Sequence, residues 1–586
     1  MNKLLPSLFF GLFIAGNLIH AVDARIILPK PTEFKRTVGQ DKKGVNFTLH
    51  NQTVLLYEED NEGAEQIARF MAEALKRSLG YTLPVKTFDS GIFFSDKRPD
   101  SSILFTDKKA EKTLGREGYR LNIEKHLITA TANHYAGFFN ATQTIRQLLP
   151  KETESRSRVN RRWTIPACQI KDIPVEDWRA CRLDCATNYQ TVDNIKAFIT
   201  QISRYKINTL YWTVTGNGGW RVPIRKYPQL TALGAWRATE EFDPSQPFPT
   251  AKNGTPLPKA KRIGGFYSPK DIAEVLQFGI ERNVKVIPHI ELLNNALVVT
   301  DIFPQLRCKL TENQQKSLKF GRQSSYCIGQ VKTAVFLEDV AKELDVLFPT
   351  DMILVDTEPQ TDLWKNCIHC RETLEDEGLT SYAALSDQFI KRVSASFGER
   401  KRVLNSSFYK TLDIPALGLK KSYNGWTGHA KKLYHPGLPT NTLLADVPTT
   451  GINNQEALLG ATLPNIIAYA ERLWSAKRSY DSFSKRMGYY YERLDYAGIN
   501  YQIPAPQTTY DSIEIKEGME AKVTFDKPIN KNFAIYYTTD GTDPYDGSER
   551  YTKPITTDKP MTIKARTISQ NGKQSRITTV NILKTK

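Results

Sequence analysis

The spacing of apolar residues changes twice along the chain, and each change marks a different kind of domain. In the first region, residues 64–79 have apolar side chains at helical spacing and end at Gly80, which suits a helix C-cap. Residues 119–123 and 127–132 alternate apolar and polar positions, the pattern of a β-hairpin. Mixed strand and helix patterns of this kind predict an N-terminal α/β domain over residues 25–165.

The second region, residues 170–503, alternates apolar strands with amphipathic helices. Strand patterns occur at residues 207–214, 284–291 and 352–355, and helical patterns occur at residues 192–205, 268–282 and 331–347. Repeated β-α units over this length predict a (β/α)8 TIM barrel. A doubly wound sheet is the alternative, but no glycine-rich phosphate loop follows any of the strands, which argues against nucleotide chemistry.

The third region follows Pro504-Ala-Pro506 and contains short alternating strands. Turn sequences such as Asp540-Gly541 and Asn571-Gly572 separate these strands. Residues 507–586 therefore predict a small C-terminal β-sandwich. The predicted fold class is α/β, with a TIM barrel between an N-terminal α/β domain and this accessory sandwich.

The first 24 residues have the features of a cleaved secretory signal. Lys3 precedes the apolar run 8–15, and small residues stand at Ala21 and Ala24. The run is too short to span a bilayer, and no later stretch is long enough, so we expect no transmembrane segment. We expect residues 1–24 to be removed and the mature protein to be secreted or periplasmic.

The chain has a net charge of +17, from 80 Lys and Arg against 63 Asp and Glu. The basic residues are scattered, with short runs at 156–162 and 259–262, and do not form one nucleic-acid-binding helix or arm. We therefore expect no nucleic-acid partner. The charge suits an anionic glycan, sulfated or sialylated, or a negatively charged cell surface. A basic, solvated surface without such a partner is the alternative.

All seven cysteines lie in the middle of the chain, and their odd number leaves at least one unpaired. Export permits disulfides, and Cys308 with Cys327 is one pairing across a loop. Cys367-x-x-Cys370 resembles half of a zinc site, but the chain has no second C-x-x-C and His369 is isolated. The spacing favours a local disulfide or buried thiols, so the sequence predicts neither a metal nor another cofactor.

The most informative stretch for chemistry is Met352-Ile-Leu-Val-Asp-Thr-Glu358, an apolar strand that ends in two carboxylates. Asp356 and Glu358 are two residues apart, so along a strand they point to one face. In a TIM barrel the carboxyl end of a strand opens onto the active-site face. A pair of acids there suggests glycoside hydrolysis. Two solvated loop acids are the alternative.

Many short motifs in one order make the chain similar to the family 20 glycoside hydrolases, the β-N-acetylhexosaminidases. In the barrel they are Trp178-Arg-Ala-Cys-Arg-Leu-Asp184, Tyr205-Lys-Ile-Asn-Thr-Leu-Tyr-Trp212, Gly219-Trp-Arg221, Gly234-Ala-Trp-Arg237, Tyr267-Ser-Pro-Lys-Asp271 and Ala470-Glu-Arg-Leu-Trp474. Residues 115–123 resemble the end of the family's N-terminal domain, and residues from Tyr536 onward resemble its C-terminal domain. The resemblance implies a carbohydrate substrate with N-acetylhexosaminyl linkages and no cofactor.

The resemblance is weakest at the positions that carry catalysis. Family members have adjacent Asp and Glu after the fourth strand, where this chain has Thr357 and Glu358. The family's sugar-binding Arg, third-strand Asp and following His correspond to Thr187, Glu291 and Asn295. Three further family residues differ. A Glu of the family corresponds to His289, an Asp to Gly216 or Asn217, and a Trp to Ser406. We therefore expect a rebuilt pocket.

The family's substrate-assisted chemistry needs one carboxylate to orient the 2-acetamido group and one to protonate the leaving oxygen. Asp356 and Glu358 fit these roles in a D-x-E order that also occurs in chitinase-like families, and they are the predicted catalytic residues. The predicted substrate-binding residues are Thr357, Asp184, Glu291, Asn295, Trp426 and Asp446. Further candidates for the pocket wall are Trp212, Trp220, Tyr423 and His429.

Three functions fit the sequence. The first is an exported retaining glycosidase that acts on N-acetylhexosaminyl linkages. The second is a catalytically degenerate, glycan-binding relative, in which Thr357, Thr187 and Asn295 record a dismantled site. The third is a glycosidase of unrelated specificity on the same barrel, since a fold alone does not determine function.

Overall fold

The structure, a computed structural model, describes all three regions of the chain with gaps. The described residues are 26–37, 45–89, 99–239, 262–318, 323–356, 360–399, 402–405, 410–413, 443–447, 449 and 451–585. The predicted signal segment 1–24 and the predicted site residues Thr357, Glu358 and Trp426 lie outside these ranges. Within them, no helix is long and apolar enough to cross a membrane.

The N-terminal region forms a mixed sheet packed against two long helices. Its strands are β1 Glu33–Arg36, β2 Asn46–Leu49, β3 Val54–Tyr57, β4 Val85–Thr87, β5 Ser102–Thr106, β6 Tyr119–Ile123, β7 Leu127–Ala132, β8 Trp163–Pro166 and β9 Cys168–Asp172, and its helices are α1 Glu62–Leu79 and α2 Tyr135–Leu148. The main sheet has the order β1-β9-β6-β7-β5-β3-β4, and β2 pairs with β8. β6 and β7 form the predicted antiparallel hairpin.

Helix α1 shows how local sequence sets these elements. Its N-cap, Asn61, accepts a hydrogen bond of 2.8 Å from a backbone N–H of the first turn. Gly80 ends the helix at φ +78°, a left-handed conformation that glycine adopts without strain. Met71 and Leu75 on its apolar face are fully buried. Capping and burial together therefore define this helix.

The central region consists of parallel strands separated by helices. Its strands are β10 Ala180–Asp184, β11 Thr209–Thr213, β12 Thr215–Gly216, β13 Gly219–Trp220, β14 Trp236–Arg237, β15 Ile263–Gly264, β16 Lys285–Glu291, β17 Met352–Asp356, β18 Arg402–Asn405, β19 Lys410–Asp413 and β20 Leu443–Val447. Its helices are α3 Val192–Arg204, α4 Gln229–Ala232, α5 Pro269–Ile280, α6 Leu297–Ile302, α7 Glu312–Lys316, α8 Val331–Leu347, α9 Thr361–Trp364, α10 Ile368–Asp376, α11 Tyr382–Ser394, α12 Gln455–Thr462, α13 Asn465–Trp474 and α14 Tyr480–Tyr496. The described barrel strands are parallel and follow the order β18-β17-β16-β11-β10-β20-β19.

Side chains inside the barrel become more polar toward the carboxyl ends of the strands. Tyr211, Ile287 and Leu354 form an apolar cluster inside the sheet. Residues on the other face of the strands, such as Leu183 and Trp212, belong to the main core between the strands and the helices. Two positions further along the strands, the interior residues are Thr213, His289 and Asp356, which are polar or charged. The barrel therefore has an apolar base and a polar mouth, as expected of a TIM barrel.

The C-terminal region is a small β domain. Its strands are β21 Ser512–Ile515, β22 Ala521–Val523, β23 Phe533–Thr538, β24 Glu549–Arg550, β25 Ile555–Thr557, β26 Met561–Ser569 and β27 Gln574–Lys584. One sheet has the order β21-β27-β26-β23-β24, and β22 pairs with β25. Ile535, Ile563 and Val580 belong to the domain's own apolar core. Phe533 instead joins the barrel core, with its ring 5.1 Å from that of Tyr491.

A buried polar network joins the N-terminal domain to the barrel. Lys206 Nζ donates to Asp172 Oδ2 at 2.7 Å, and Trp474 Nε1 donates to Asp172 Oδ1 at 2.8 Å. Lys206 Nζ also donates to the hydroxyl of Tyr119 at 2.9 Å. The side chains of Asp172 and Lys206 are fully buried. Because each charge depends on the other for compensation, removal of either one would leave an unpaired charge inside the protein.

Candidate active site

Glu291 and Asp356 stand side by side at the carboxyl ends of two neighbouring strands. β16 and β17 run parallel with Glu291 opposite Asp356, and each residue is the last of its strand. His289 lies two residues before Glu291, on the same face of β16. The three side chains bring nitrogen and oxygen atoms within 4.8 Å of one another. The strand register thus assembles an acid pair at the polar mouth of the barrel.

The surroundings of Glu291 favour its protonated form. Burial raises the pKa of Glu291 well above its ordinary value, and the charge of Asp356, to which Glu291 hydrogen-bonds, raises it further. Glu291 Oε2 is buried and receives no hydrogen bond from a donor in the described residues. An ionised carboxylate is disfavoured there, because no donor among the described residues stabilises a charge on Oε2. Glu291 therefore favours its protonated, neutral form.

His289 forms the buried wall beneath the acid pair. Its Nδ1 lies 2.8 Å from Thr213 Oγ1 on the adjacent strand. Burial lowers the pKa of His289 well below its ordinary value, and the nearby charge of Arg182 lowers it further. The imidazole is therefore neutral at neutral pH.

An ion pair between Arg182 and Asp446 joins β10 and β20, and one strand, β11, separates β10 from β16. Arg182 donates from Nε to Asp446 Oδ1 at 2.9 Å and from a terminal nitrogen to Oδ2 at 2.7 Å. The two residues face each other across β10 and β20, with side chains 20% and 18% exposed. Bidentate pairing of this kind is strong and directional. Sequence reasoning missed Arg182, although its position two residues before Asp184 places both on one face of β10.

The acid pair and His289 include groups that can bind divalent cations. The charge of Arg182, however, acts on both His289 and Glu291. Because the surroundings of Glu291 also favour its protonated form, the arrangement supports acid-base chemistry at this position.

A second arginine, Arg221, organises the loops at the mouth of the barrel. It is fully buried. Its five N–H groups donate, at distances of 2.6–3.2 Å, to the backbone carbonyls of Cys185, Ala186, Gly218, Ala235 and Gly265. Burial lowers the pKa of Arg221 to about 10, so the guanidinium stays charged at neutral pH. One side chain therefore holds the segment after β10, the β12–β13 turn and the segments beside β14 and β15.

Asp184 and Asn295, two predicted substrate-binding residues, take part in local hydrogen bonds. Asp184 Oδ1 accepts from the backbone N–H groups of Ala186 and Thr187, both at 3.0 Å. Asn295 has φ +53°, and its Oδ1 accepts from Asn217 Nδ2 at 2.8 Å. Both residues shape loops at the barrel mouth. Their contacts with a substrate stay predictions.

Two aromatic candidates for the pocket wall are core residues instead. Trp212 is fully buried, and its ring packs at a steep angle against those of Tyr267 and Phe348, with centroid distances of 4.6 and 6.1 Å. Trp220 is 2% exposed, and its Nε1 donates to Val222 O at 2.7 Å. Both tryptophans pack in the apolar core, which removes them from the pocket. The other aromatic candidates, Tyr423, Trp426 and His429, lie outside the described residues.

Comparison with known protein families connects this barrel to a known class of enzymes. The model of the glycosyl hydrolase family 20 catalytic domain matches residues 177–417, and the model of domain 2 of the same family matches residues 24–173. The chain belongs to glycoside hydrolase family 20. A model of the chitobiase/β-hexosaminidase C-terminal domain matches residues 510–579.

Relatives of this family 20 chain have low sequence identity to it, but their alignments can span most of its length. A β-hexosaminidase from Porphyromonas gingivalis is 27% identical over 617 residues, which cover 95% of this chain and 74% of that protein. A β-hexosaminidase from Vibrio furnissii is 28% identical over 286 residues, which cover 48% of this chain and 44% of that protein. The structure of an inactive mutant of a family 20 exo-β-N-acetylglucosaminidase from Vibrio harveyi matches with a TM-score of 0.65 at 22% identity, over 82% of this chain and 78% of that one. This last likeness shows the fold.

The predicted family and fold class are thereby confirmed for this family 20 glycoside hydrolase. Among the predicted site residues, the structure brings Glu291 and Asp356 together, and it places Asp446 in an ion pair with Arg182. Asp184 ends β10. Carbohydrate is the substrate class of the family.

Proposed function

We propose that this protein is an exported, retaining glycoside hydrolase that cleaves N-acetylhexosaminyl linkages by substrate-assisted catalysis. The observation that carries the proposal is the Glu291–Asp356 pair at the carboxyl ends of β16 and β17, with Asp356 two residues before Glu358 in the sequence. Relatives named β-hexosaminidase support the substrate class. Membership of family 20 supports the reaction type.

In the proposed reaction, Asp356 accepts a hydrogen bond from the acetamido N–H of the substrate. This contact turns the acetamido oxygen toward the anomeric carbon, and that oxygen forms a new bond as the glycosidic bond breaks. Positive charge then develops on the cyclised acetamido group, and the negative Asp356 stabilises it. Glu291 donates a hydrogen bond to Asp356 and acts as a positioning residue.

Glu358 is the proposed general acid. It gives its proton to the departing glycosidic oxygen and then takes a proton from the water that opens the cyclised intermediate. The assignment comes from the D-x-E spacing after β17. The negative charge of a neighbouring Asp356 would raise the pKa of Glu358, as a general acid at neutral pH requires.

One observation favours a catalytically degenerate, glycan-binding relative as the second candidate. Both carboxylate oxygens of Asp446 accept hydrogen bonds from Arg182, which leaves less capacity to hold sugar hydroxyls. In this alternative the barrel still binds N-acetylated glycans. Thr357 and Asn295 would then mark lost catalytic contacts.

Hydrolysis of an aryl N-acetyl-β-glucosaminide tests the proposal directly. The wild type should release the aryl alcohol, and Glu358→Gln and Asp356→Asn should each lower kcat by about 10² to 10⁴-fold without loss of folding. A thiazoline mimic of the cyclised intermediate should inhibit the wild type. Glu312→Gln is the matched control, because this side chain is 92% exposed on α7 and should leave turnover unchanged.

Three outcomes would change the assignment. Turnover at the wild-type level in Glu358→Gln would remove Glu358 from the mechanism. If Asp356→Asn is silent while Thr357→Ala is inactive, the D-x-E interpretation is wrong. If the wild type hydrolyses no aryl glycoside or natural glycan, but binds glycans as tightly as Glu358→Gln does, the degenerate alternative is correct.

Export is also part of the proposal, on the basis of the signal-like residues 1–24. N-terminal sequencing of the protein recovered from the medium or the periplasm should give a mature chain that begins after this segment. An intact chain retained inside the cell would contradict it.

A further inference from the structure

Four of the seven cysteines meet in one buried cluster on the carboxyl side of the barrel. Cys308 and Cys327 come from the segment between β16 and α8, and Cys367 and Cys370 come from the start of α10, after β17. All four are at most 4% exposed. Their sulfur atoms lie within 4.8 Å of one another. The Sγ–Sγ distance is 3.6 Å for Cys327–Cys367, 3.7 Å for Cys327–Cys370 and 4.0 Å for Cys308–Cys370.

These distances match a tetrahedral metal site. Zn²⁺ binds thiolates at about 2.3 Å, which in a tetrahedron places the sulfur atoms about 3.8 Å apart. We propose that Cys308, Cys327, Cys367 and Cys370 bind one Zn²⁺ ion. Four thiolate ligands fill the coordination sphere and leave no position for a substrate or water, so the role of this ion is structural.

The backbone around the cluster also favours thiolates. Cys367 is the N-cap of α10, and Cys370 stands in the first turn of that helix. The N-terminus of a helix stabilises negative charge. The backbone N–H of Cys370 hydrogen-bonds to the Cys367 side chain. The C-x-x-C turn thus presents two sulfurs to one point, and Cys308 and Cys327 complete the set from the preceding segment.

Two disulfides are the competing arrangement for these cysteines. Each disulfide joins its sulfurs at about 2.0 Å, so the cluster would divide into two close pairs. Instead, Cys327 is nearly equidistant from Cys367 and Cys370. None of the seven cysteines is joined in a disulfide, which corrects the expected pairing of Cys308 with Cys327. The zinc proposal likewise replaces the expectation of no metal, which rested on the missing second C-x-x-C.

The proposed ion would join the segments that leave β16 and β17, the two strands that carry the acid pair. These segments already touch, since Trp364 Nε1 donates to Tyr326 O at 3.0 Å. Gly329 lies so close to α10 that a Cβ at this position would clash with the backbone of His369. Zinc would therefore fix an existing contact between the two segments and would hold the frame around the mouth of the barrel.

The metal content of the full-length protein tests the proposal independently of glycosidase activity. Wild-type protein purified without added metal should contain one zinc per chain by inductively coupled plasma mass spectrometry, and Cys370→Ser should lose it. Cys168→Ala, at a buried cysteine of the N-terminal sheet, is the matched control and should keep its zinc. Exchange of zinc for cobalt should give the visible absorption of tetrahedral Co²⁺ and sulfur-to-cobalt charge-transfer bands.

If Cys370→Ser does not fold, the wild-type measurement alone decides. Zinc-free protein in which all seven thiols react with Ellman's reagent after unfolding would overturn the proposal, and so would peptides joined by disulfides among the four clustered cysteines. Iron in place of zinc would overturn the choice of metal. Removal of the zinc by a chelator should lower the thermal midpoint, and an unchanged midpoint would refute the structural role. A zinc-containing protein without turnover would count against the proposed enzyme function only.

Discussion

Replacement of Glu291 by Gln should make the stability of the protein less sensitive to pH. Gln keeps the shape of the side chain and an N–H donor toward Asp356, but it has no proton to release. In the wild type, burial and then the charge of Asp356 raise the pKa of Glu291 in the folded state. The stability that this proton brings is fully present below the unfolded-state pKa and is lost as the pH rises through the folded-state pKa.

The magnitude follows from the single proton involved. The unfolded-state pKa of Glu is about 4.3. Above that value the folded state holds one proton more than the unfolded state, so the free energy of unfolding falls by up to about 1.4 kcal/mol for each pH unit. From about pH 5 to pH 7 the wild type should therefore lose up to about 2.7 kcal/mol relative to Glu291→Gln.

Urea unfolding at about pH 5, 6 and 7, followed by tryptophan fluorescence, measures this difference. Glu312→Gln makes the same chemical change at a side chain that is 92% exposed, and it should run parallel to the wild type. Glu291→Gln should diverge from both as the pH rises. If Glu291→Gln also runs parallel to the wild type over this range, the proton is not held on Glu291.

Three further changes test the domain contacts and the surface charge. Asp172→Asn leaves the Lys206 ammonium buried without its carboxylate, so calorimetry should show a loss of about 3 to 5 kcal/mol in the free energy of unfolding. A loss below about 1 kcal/mol would mean that water or another group replaces Asp172. Removal of residues 507–586 should leave a folded barrel with a lower thermal midpoint, because the ring of Phe533 no longer packs 5.1 Å from that of Tyr491. An aggregated product would show that the sandwich completes the barrel core. If the net charge of +17 serves an anionic glycan, calorimetry should show that affinity for a sulfated glycan falls as salt rises to about 0.15 M, where the Debye length is about 8 Å, while the unsulfated form changes little. Equal affinities without a salt effect would contradict this use of the charge.

Elements with a strong local pattern were predictable to within a few residues. The helix predicted over residues 64–79 begins two residues earlier, at Glu62, because Asn61 caps it. The strand predicted over residues 352–355 extends to Asp356. Hydrophobic spacing and capping act over a few residues, so the sequence reveals them directly. The alternation of side chains along a strand likewise predicts that Asp356 faces the interior of the barrel.

The partners of the site residues were not predictable in the same way. Arg182 and Asp446 are 264 positions apart in the chain, and only closure of the barrel brings them together. The contact between Glu291 and Asp356 depends on the register of β16 against β17, and a shift of one residue would turn one of them to the other face. The cysteine cluster likewise depends on two segments that meet after folding. Long-range geometry of this kind leaves no local pattern in the sequence.

During synthesis, the buried network around Asp172 forms in two stages. Lys206 is 34 positions away, whereas Trp474 is 302 positions away and leaves the ribosome about 15 to 60 s later at about 5 to 20 residues per second. The N-terminal domain can fold in that interval, but its docking face stays incomplete until α13 has been made. A chain that stops before Trp474 therefore exposes a face that the finished protein buries, and this face distinguishes unfinished chains from finished ones.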